Sequence, residues 1–185
     1  MALKNTAEQY GSLSKFFHWT VAIMVVALLT VGFIMDDISD KALKMQVYNI
    51  HKLIGLSVLL LMIMRLLWRL NNVLPEYPPT VPKWARKAAR ATHDLLYLVL
   101  IIMPLSGWIM SSAAGHPPHL GSWSLGIPGL TANKTLAQYG NSLHYVLAWA
   151  IPSLILLHIG AALKHHFMDK DEVLLRMLPW AKLKK

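Results

Sequence analysis

The sequence predicts an all-α integral membrane protein, a bundle of four membrane-spanning helices, and three observations carry that prediction. Hydrophobic residues make up 55% of the 185 residues, whereas charged residues make up only 15%. The apolar residues are gathered into four long runs, each close to the about 20 residues that a helix needs to cross a bilayer core. Cysteine is absent, which excludes disulfides, thiolate metal sites and iron–sulfur clusters.

The four predicted spans lie at about residues 16–35, 47–68, 95–114 and 142–163 and form a single membrane domain over 1–185. Pro104 and Pro152 lie inside the third and fourth spans. Neighbouring helices in a bundle can satisfy the carbonyl groups that a proline frees, so we expect kinks and not breaks. The first span is longer than the apolar core of a signal peptide and no A-x-A site follows it, so we expect it to be retained.

Basic residues indicate the orientation of the bundle. Lysine and arginine crowd the side that bears the N-terminus, the loop between spans two and three, and the C-terminus with its Lys182, Lys184 and Lys185. The opposite side carries only Lys41, Lys44, Lys52 and Lys134. We therefore expect both termini in the cytoplasm, and we call that side the terminal side and the opposite one the loop side. The net charge of +9 then faces anionic lipid and not nucleic acid, because no basic stretch is separate from a span.

Four histidines lie within the predicted spans, where ionisable groups are costly and mark functional sites. His18 lies near the terminal-side start of span one, and His51 lies near the loop-side start of span two. His144 and His158 both belong to span four. Their spacing puts them within about 40° of one helix face and about 21 Å apart along the axis. His51 matches the depth of His144, and His18 matches the depth of His158.

Two histidine pairs at separate depths favour haem over other metal sites. Zinc and copper sites need three or four clustered donors. A haem iron already has four porphyrin nitrogens and needs only two axial ligands, and the apolar interior of a bundle suits the macrocycle. The joint pattern therefore predicts two b-type haems, although a single histidine at a helix end is more often an interface residue. The predicted iron ligands are His18, His51, His144 and His158. His116 and His119, in the loop between spans three and four, are expected to be loop residues and not ligands.

Other polar residues near the predicted haems allow two interpretations. Arg65 lies fourteen residues after His51, near the terminal-side haem. Arg65 or Arg69 could pair with a haem propionate, or both could simply mark the membrane surface. Lys52 could bind a propionate on the loop side. His93 could be a rival ligand, a proton carrier or an interface residue.

A polar cluster follows span four. His165 lies seven residues after His158, on nearly the same helix face and about 10 Å further toward the terminal side. With Lys164 and His166 it could meet a quinone headgroup, because histidine can supply the protons that quinone reduction consumes. The alternative is a basic patch at the membrane surface.

The motifs around these histidines resemble the bacterial cytochrome b561 family, which is also grouped with the cytochrome b subunits of nickel–iron hydrogenases. The matching stretches are FFHW, NIHKLIGL, MRLLWRL, PLSGW, LHYVLAW, LHIGAALKHHF and LLRMLP, and they cover about residues 10–179. The resemblance implies a dihaem cytochrome of the bacterial inner membrane. It implies His18 and His158 as the axial pair of the terminal-side haem. It implies His51 and His144 as the axial pair of the loop-side haem.

Stand-alone members of this size most resemble superoxide:ubiquinone oxidoreductases, so the resemblance implies superoxide oxidation on the loop side and ubiquinone as the acceptor near the cytoplasm. The KHHF stretch falls where the quinone-site histidine of the family lies, which makes His165 a candidate catalytic residue. Lys52, beside His51, is a second candidate because its charge can draw in an anion. One alternative is a membrane-anchor subunit that links a redox partner protein, a dehydrogenase or hydrogenase, to the quinone pool. Another is a transporter or channel without haem.

Overall fold

The computed structural model describes residues 2–181, so Lys182, Lys184 and Lys185 lie outside the described residues. Long helices make up most of the chain. They are α1 (Ser12–Ile34), α2 (Lys41–Leu70), α3 (Lys83–Ala113) and α4 (Lys134–Lys164). A 3₁₀ turn at Met35–Asp37 extends α1, a π-helical turn at His165–Asp169 extends α4, and a 3₁₀ turn at Leu175–Met177 lies near the C-terminus.

Within residues 2–181, four helices are long and apolar enough to cross a membrane. This confirms the predicted all-α bundle of four membrane-spanning helices. Both α3 and α4 begin well before the spans that hydropathy predicts near residues 95 and 142. Lysine, arginine and alanine are good helix formers in water, so the polar start of α3 continues the helix outside the apolar run. Pro104 and Pro152 lie inside continuous helices.

The helix starts at α2 and α4 are fixed by side-chain caps. Asp40 accepts a hydrogen bond from the Leu43 amide at 2.7 Å, and Asn133 accepts one from the Leu136 amide at 2.9 Å. Such caps satisfy amide groups that have no partner inside the helix. Between α3 and α4, strands β1 (His119–Leu120) and β2 (Trp123–Ser124) form a small antiparallel hairpin.

The helices pack unevenly around the bundle. The closest packing joins α3 to α4, where a Cβ added to Gly140 would lie 3.1 Å from the backbone of Met110; small residues allow such approaches in membrane bundles. α2 packs against both α1 and α3. Between the described parts of α1 and α4 there is no comparable backbone packing. The bundle therefore has a seam between α1 and α4.

Both ends of the described chain lie on the same side of the bundle. The Asn5 side chain donates to the Val73 carbonyl at 2.8 Å, and the Lys15 Nζ donates to the Leu178 carbonyl at 3.0 Å. The N-terminal segment, the α2–α3 connection and the C-terminal segment are thus bonded together. This is the terminal side, and the α1–α2 and α3–α4 connections lie on the loop side.

Candidate cofactor sites between the helices

Two cavities lie at different depths of the bundle in the part of the chain that the structure describes. The loop-side cavity has a volume of about 380 Å³ and the terminal-side cavity about 480 Å³, within the range of about 300–1,000 Å³ typical of ligand sites. Val25 and Leu100 line both cavities. These two apolar side chains therefore lie between the cavities.

The loop-side cavity holds His51 from α2 and His144 from α4, with ring centres 6.5 Å apart. The Nδ1 atom of His144 lies 3.1 Å from the Met103 carbonyl and 3.1 Å from Ser106 Oγ, both on α3. Because a carbonyl can only accept, this contact favours a proton on Nδ1 and leaves Nε2 free to bind a metal. The Nδ1 of His51 is buried with no hydrogen-bond partner among residues 2–181, an arrangement that is uncommon outside functional sites.

Gly107 makes room for the His144 ring. A Cβ at this position would lie 3.0 Å from His144 Cε1 and 3.1 Å from its Nδ1. In the PLSGW stretch, Ser106 thus supplies a hydroxyl group beside His144, and Gly107, which has no side chain, leaves space for the imidazole ring. These two features form the seat of His144.

The α3–α4 connection is bonded over the loop-side cavity. Lys52 lines that cavity, and its Nζ donates to the His116 carbonyl at 2.8 Å. Asn49 exchanges two hydrogen bonds with the His119 backbone, at 2.8 and 2.9 Å, and Pro118 is buried against the cavity. The side chains of His116 and His119 are exposed in this connection, where the sequence predicted loop residues; His119 belongs to the short hairpin.

The terminal-side cavity brings three imidazoles together. His18 from α1 and His158 from α4 have ring centres 6.1 Å apart, and the His93 ring from α3 lies 5.2 Å from that of His158. Arg65 Nη2 lies 3.0 Å from His18 Nδ1. A guanidinium can only donate, so His18 Nδ1 is the acceptor in this contact.

Cations and phenols surround these imidazoles. Arg65 and Arg69 lie over the Tyr97 ring at 5.3 and 5.0 Å, which is cation–π geometry. Arg69 also pairs with Asp94 at 2.9 Å. Tyr10 lines the same cavity, and burial raises the pKa of its phenol, so it is neutral at physiological pH. With two arginines and a single carboxylate beside them, this wall of the cavity carries positive charge.

His165 is held at the end of α4 and is not among the described side chains that line the terminal-side cavity. Its Nδ1 lies 2.6 Å from Asp171 Oδ2 and 3.2 Å from Asp169 Oδ2. Lys164 pairs with Asp169 at 2.7 Å. Two aspartates, Asp169 and Asp171, belong to the polar cluster that the sequence predicted after span four. The cluster is therefore not purely basic.

The donor sets fit a metal held by two histidines at each depth. Two imidazoles that bind one metal ion from opposite sides at about 2 Å have ring centres about 6 Å apart. The pairs His18–His158 and His51–His144, at 6.1 and 6.5 Å, match that separation. The ring centre of His93 lies only 5.2 Å from that of His158, so the pair His93–His158 matches the separation of two axial ligands less well.

Four membrane-spanning helices with a facing histidine pair at each of two depths are the arrangement expected of a membrane-bound b-type cytochrome. A sequence profile described as prokaryotic cytochrome b561 matches residues 9–180. The chain belongs to the prokaryotic cytochrome b561 family, which confirms the resemblance found in the sequence and implies b-type haem binding and electron transfer in a bacterial membrane.

The chain is similar along nearly its whole length to several known proteins. Cytochrome b561 homolog 2 of Escherichia coli (strain K12) is 37% identical over 180 residues, which cover 96% of this chain and 95% of the relative. Cytochrome b561 homolog 1 of the same organism is 33% identical, with coverage of 93% and 98%. A probable superoxide oxidase CybB of Yersinia pestis is 29% identical, with coverage of 93% and 97%.

Sequence reasoning missed several residues of these sites. Ser106, Gly107 and the Met103 carbonyl were not predicted to contact His144, although a small-residue pair one turn from Pro104 could have indicated a close approach. Tyr97 was also missed; it lies four residues after His93 on the same face of α3. All of these missed groups lie on α3. Their contacts in the two sites depend on how α3 packs against its neighbours, which the sequence alone does not show.

Proposed function

We propose that the chain binds two b-type haems, one in each cavity, and carries electrons across the membrane from superoxide on the loop side to ubiquinone on the terminal side. His51 and His144 would hold the loop-side haem, and His18 and His158 the terminal-side haem. The observation that carries the proposal is that α4 supplies one imidazole to each of two facing pairs, with ring centres 6.5 and 6.1 Å apart. When bound, haem supplies one-electron redox chemistry at each depth.

The terminal-side arginines would hold the carboxylates of the bound haem. Arg65 and Arg69 line the cavity, and Asp94 neutralises only one of them. Guanidinium groups bind carboxylates through two parallel hydrogen bonds. On the loop side Lys52 is the corresponding cation, and it lines the cavity with its Nζ already oriented by the His116 carbonyl.

The overall reaction balances with two superoxide ions per quinone. Each superoxide gives up one electron and becomes O₂, and one ubiquinone takes up two electrons and two protons and becomes ubiquinol. Lys52 would attract the superoxide anion, and His165, hydrogen-bonded to Asp171, would supply protons on the terminal side. The name of the Yersinia pestis relative, a probable superoxide oxidase, supports this choice of donor, and the excess of lysine and arginine supports a cytoplasmic terminal side.

The test is spectroscopic. The protein is purified from membranes, its haem content is measured, and the reduced-minus-oxidised spectrum is recorded during enzymatic superoxide production, with superoxide dismutase as the control. We expect two haems per chain, reduced by superoxide and reoxidised by added ubiquinone. A colourless protein would refute the haem assignment. Two haems that superoxide leaves oxidised would instead favour an anchor subunit that exchanges electrons with a partner dehydrogenase or hydrogenase.

A further inference from the structure

Residues 171–178, which we call the strap, cross the terminal side of the bundle after α4 ends. Four apolar side chains of the strap line the terminal-side cavity: Val173, Leu174, Met177 and Leu178. The strap is mostly non-helical apart from the turn at Leu175–Met177. Its carbonyl groups therefore need partners outside a helix, and the identity of those partners shows what holds the strap in position.

Two side chains of α1 donate to the end of the strap. Lys15 Nζ bonds to the Leu178 carbonyl at 3.0 Å, and Trp19 Nε1 bonds to the Met177 carbonyl at 3.0 Å. Residues four apart share one helix face, so both donors point the same way. Lys15 is only 4% exposed, and a buried ammonium is costly unless it is hydrogen-bonded. Loss of the hydrogen bond to Leu178 would therefore leave a buried charge without a partner, so this contact stabilises the fold.

The other end of the strap is bonded to α4. Asp171 accepts from His165 Nδ1 at 2.6 Å and from the Val173 amide at 3.0 Å. Arg176 donates to the Glu76 carbonyl in the α2–α3 connection. The strap thus joins the end of α4 to the start of α1, the two helices between which the described residues leave a seam.

Trp19 also contacts His18 directly. The two rings meet edge to face, with centres 5.2 Å apart, and Trp19 lines the terminal-side cavity. We propose that Trp19 and Lys15 are positioning residues of the terminal-side site, which fix the strap across its aqueous end and so keep water away from His18 and His158. This inference rests on the proposed haem function of that cavity.

The first measurement is amide hydrogen exchange of the strap in the full-length protein. We expect exchange in residues 171–178 to become about fivefold faster in Trp19→Phe and in Lys15→Met, because each removes one hydrogen bond that holds the segment. Trp68→Phe is the matched control, since Trp68 lines the same cavity but donates to Ser14 Oγ at 3.0 Å. Unchanged exchange in Trp19→Phe would overturn the proposal, even if Lys15→Met fails to fold.

The second measurement is a redox titration of the haem-loaded variants. Solvent access changes the redox potential of a buried centre, so Trp19→Phe should shift the terminal-side component to lower potential. The loop-side component should stay fixed, and His158→Ala identifies which component is which. Faster exchange without a selective shift would mean that the strap is only structural and would overturn the proposal. A colourless protein would refute the proposed function, and the exchange rates alone would then decide whether Trp19 and Lys15 hold the strap in position.

Discussion

The two cavities use α4 in the same way but surround its histidines differently. On the loop side, His144 faces the carbonyl of Met103 and the close backbone of Gly107. On the terminal side, His18 faces the guanidinium of Arg65, and His93 adds a third imidazole. The partners of His144 are a backbone carbonyl and a hydroxyl, whereas the groups around His18 and His158 are ionisable side chains.

This difference bears on how readily each site accepts a metal. A carbonyl partner keeps the proton on His144 Nδ1, so its Nε2 is already free for coordination. A guanidinium partner can only donate, so the Nδ1 of His18 carries no proton while Arg65 is in contact. Coordination through His18 Nε2 requires Arg65 to leave Nδ1. Under the proposed haem binding, His144 would therefore be preset for coordination, whereas the terminal-side site would have to rearrange and would free a cation that can bind a carboxylate.

The largest expected effects come from removing the two proposed iron ligands of α4 one at a time. His144→Ala and His158→Ala should each lose one haem and retain about one of two per chain, because a single remaining imidazole holds the macrocycle poorly. Haem quantitation and a redox titration should show a different component missing in each variant. His116→Ala, in the exposed loop, is the control. Retention of both haems in either ligand variant would contradict the pairing.

A smaller effect is expected from the seat of His144. Gly107→Ala would force the ring to move by a few tenths of an ångström, because the new Cβ would lie 3.0 Å from it. Groups that orient a metal-bound histidine typically change metal affinity about 10–100-fold, so the loop-side haem should dissociate faster. Gly160→Ala is the control, since Gly160 is exposed on α4, lines neither cavity, and a Cβ there meets nothing within 4 Å. Equal haem loss in the two variants would remove the argument for a preset site.

The terminal-side counterpart is Arg65→Gln. Loss of the guanidinium removes the charge proposed to bind a haem carboxylate, so retention of the terminal-side haem should fall roughly tenfold, in line with charge-assisted hydrogen bonds of about 1.5 kcal/mol or more. Haem transfer to apomyoglobin measures the loss. Arg90→Gln removes an exposed arginine of α3 and should have no effect. Tighter binding in Arg65→Gln would mean that Arg65 only obstructs His18.

The sequence was enough to predict what depends on composition and periodicity. Four apolar runs gave the helices, and the 14-residue step from His144 to His158 put one imidazole at each depth. Hydropathy could not predict that α3 begins at Lys83, because a helix does not end where the membrane does. The contacts of Met103 and Tyr97 depend on how α3 rotates against α4 and α2, and the strap depends on hydrogen bonds between residues more than 150 positions apart.

The smallest expected effect concerns the ion pair of Arg69 with Asp94. Asp94 has a side chain that is 68% exposed, and partly exposed pairs contribute about 0–1 kcal/mol, so Asp94→Asn should scarcely change thermal stability. It should nevertheless free Arg69 and raise the potential of the terminal-side haem, because an unneutralised cation favours the reduced state. A redox titration beside thermal unfolding separates the two effects, with Asp37→Asn on the loop side as the control. A shift confined to the terminal-side component would show that local charge makes the two sites differ in redox potential. If no component shifts, the main difference between the sites is the hydrogen-bond partners of His18 and His144.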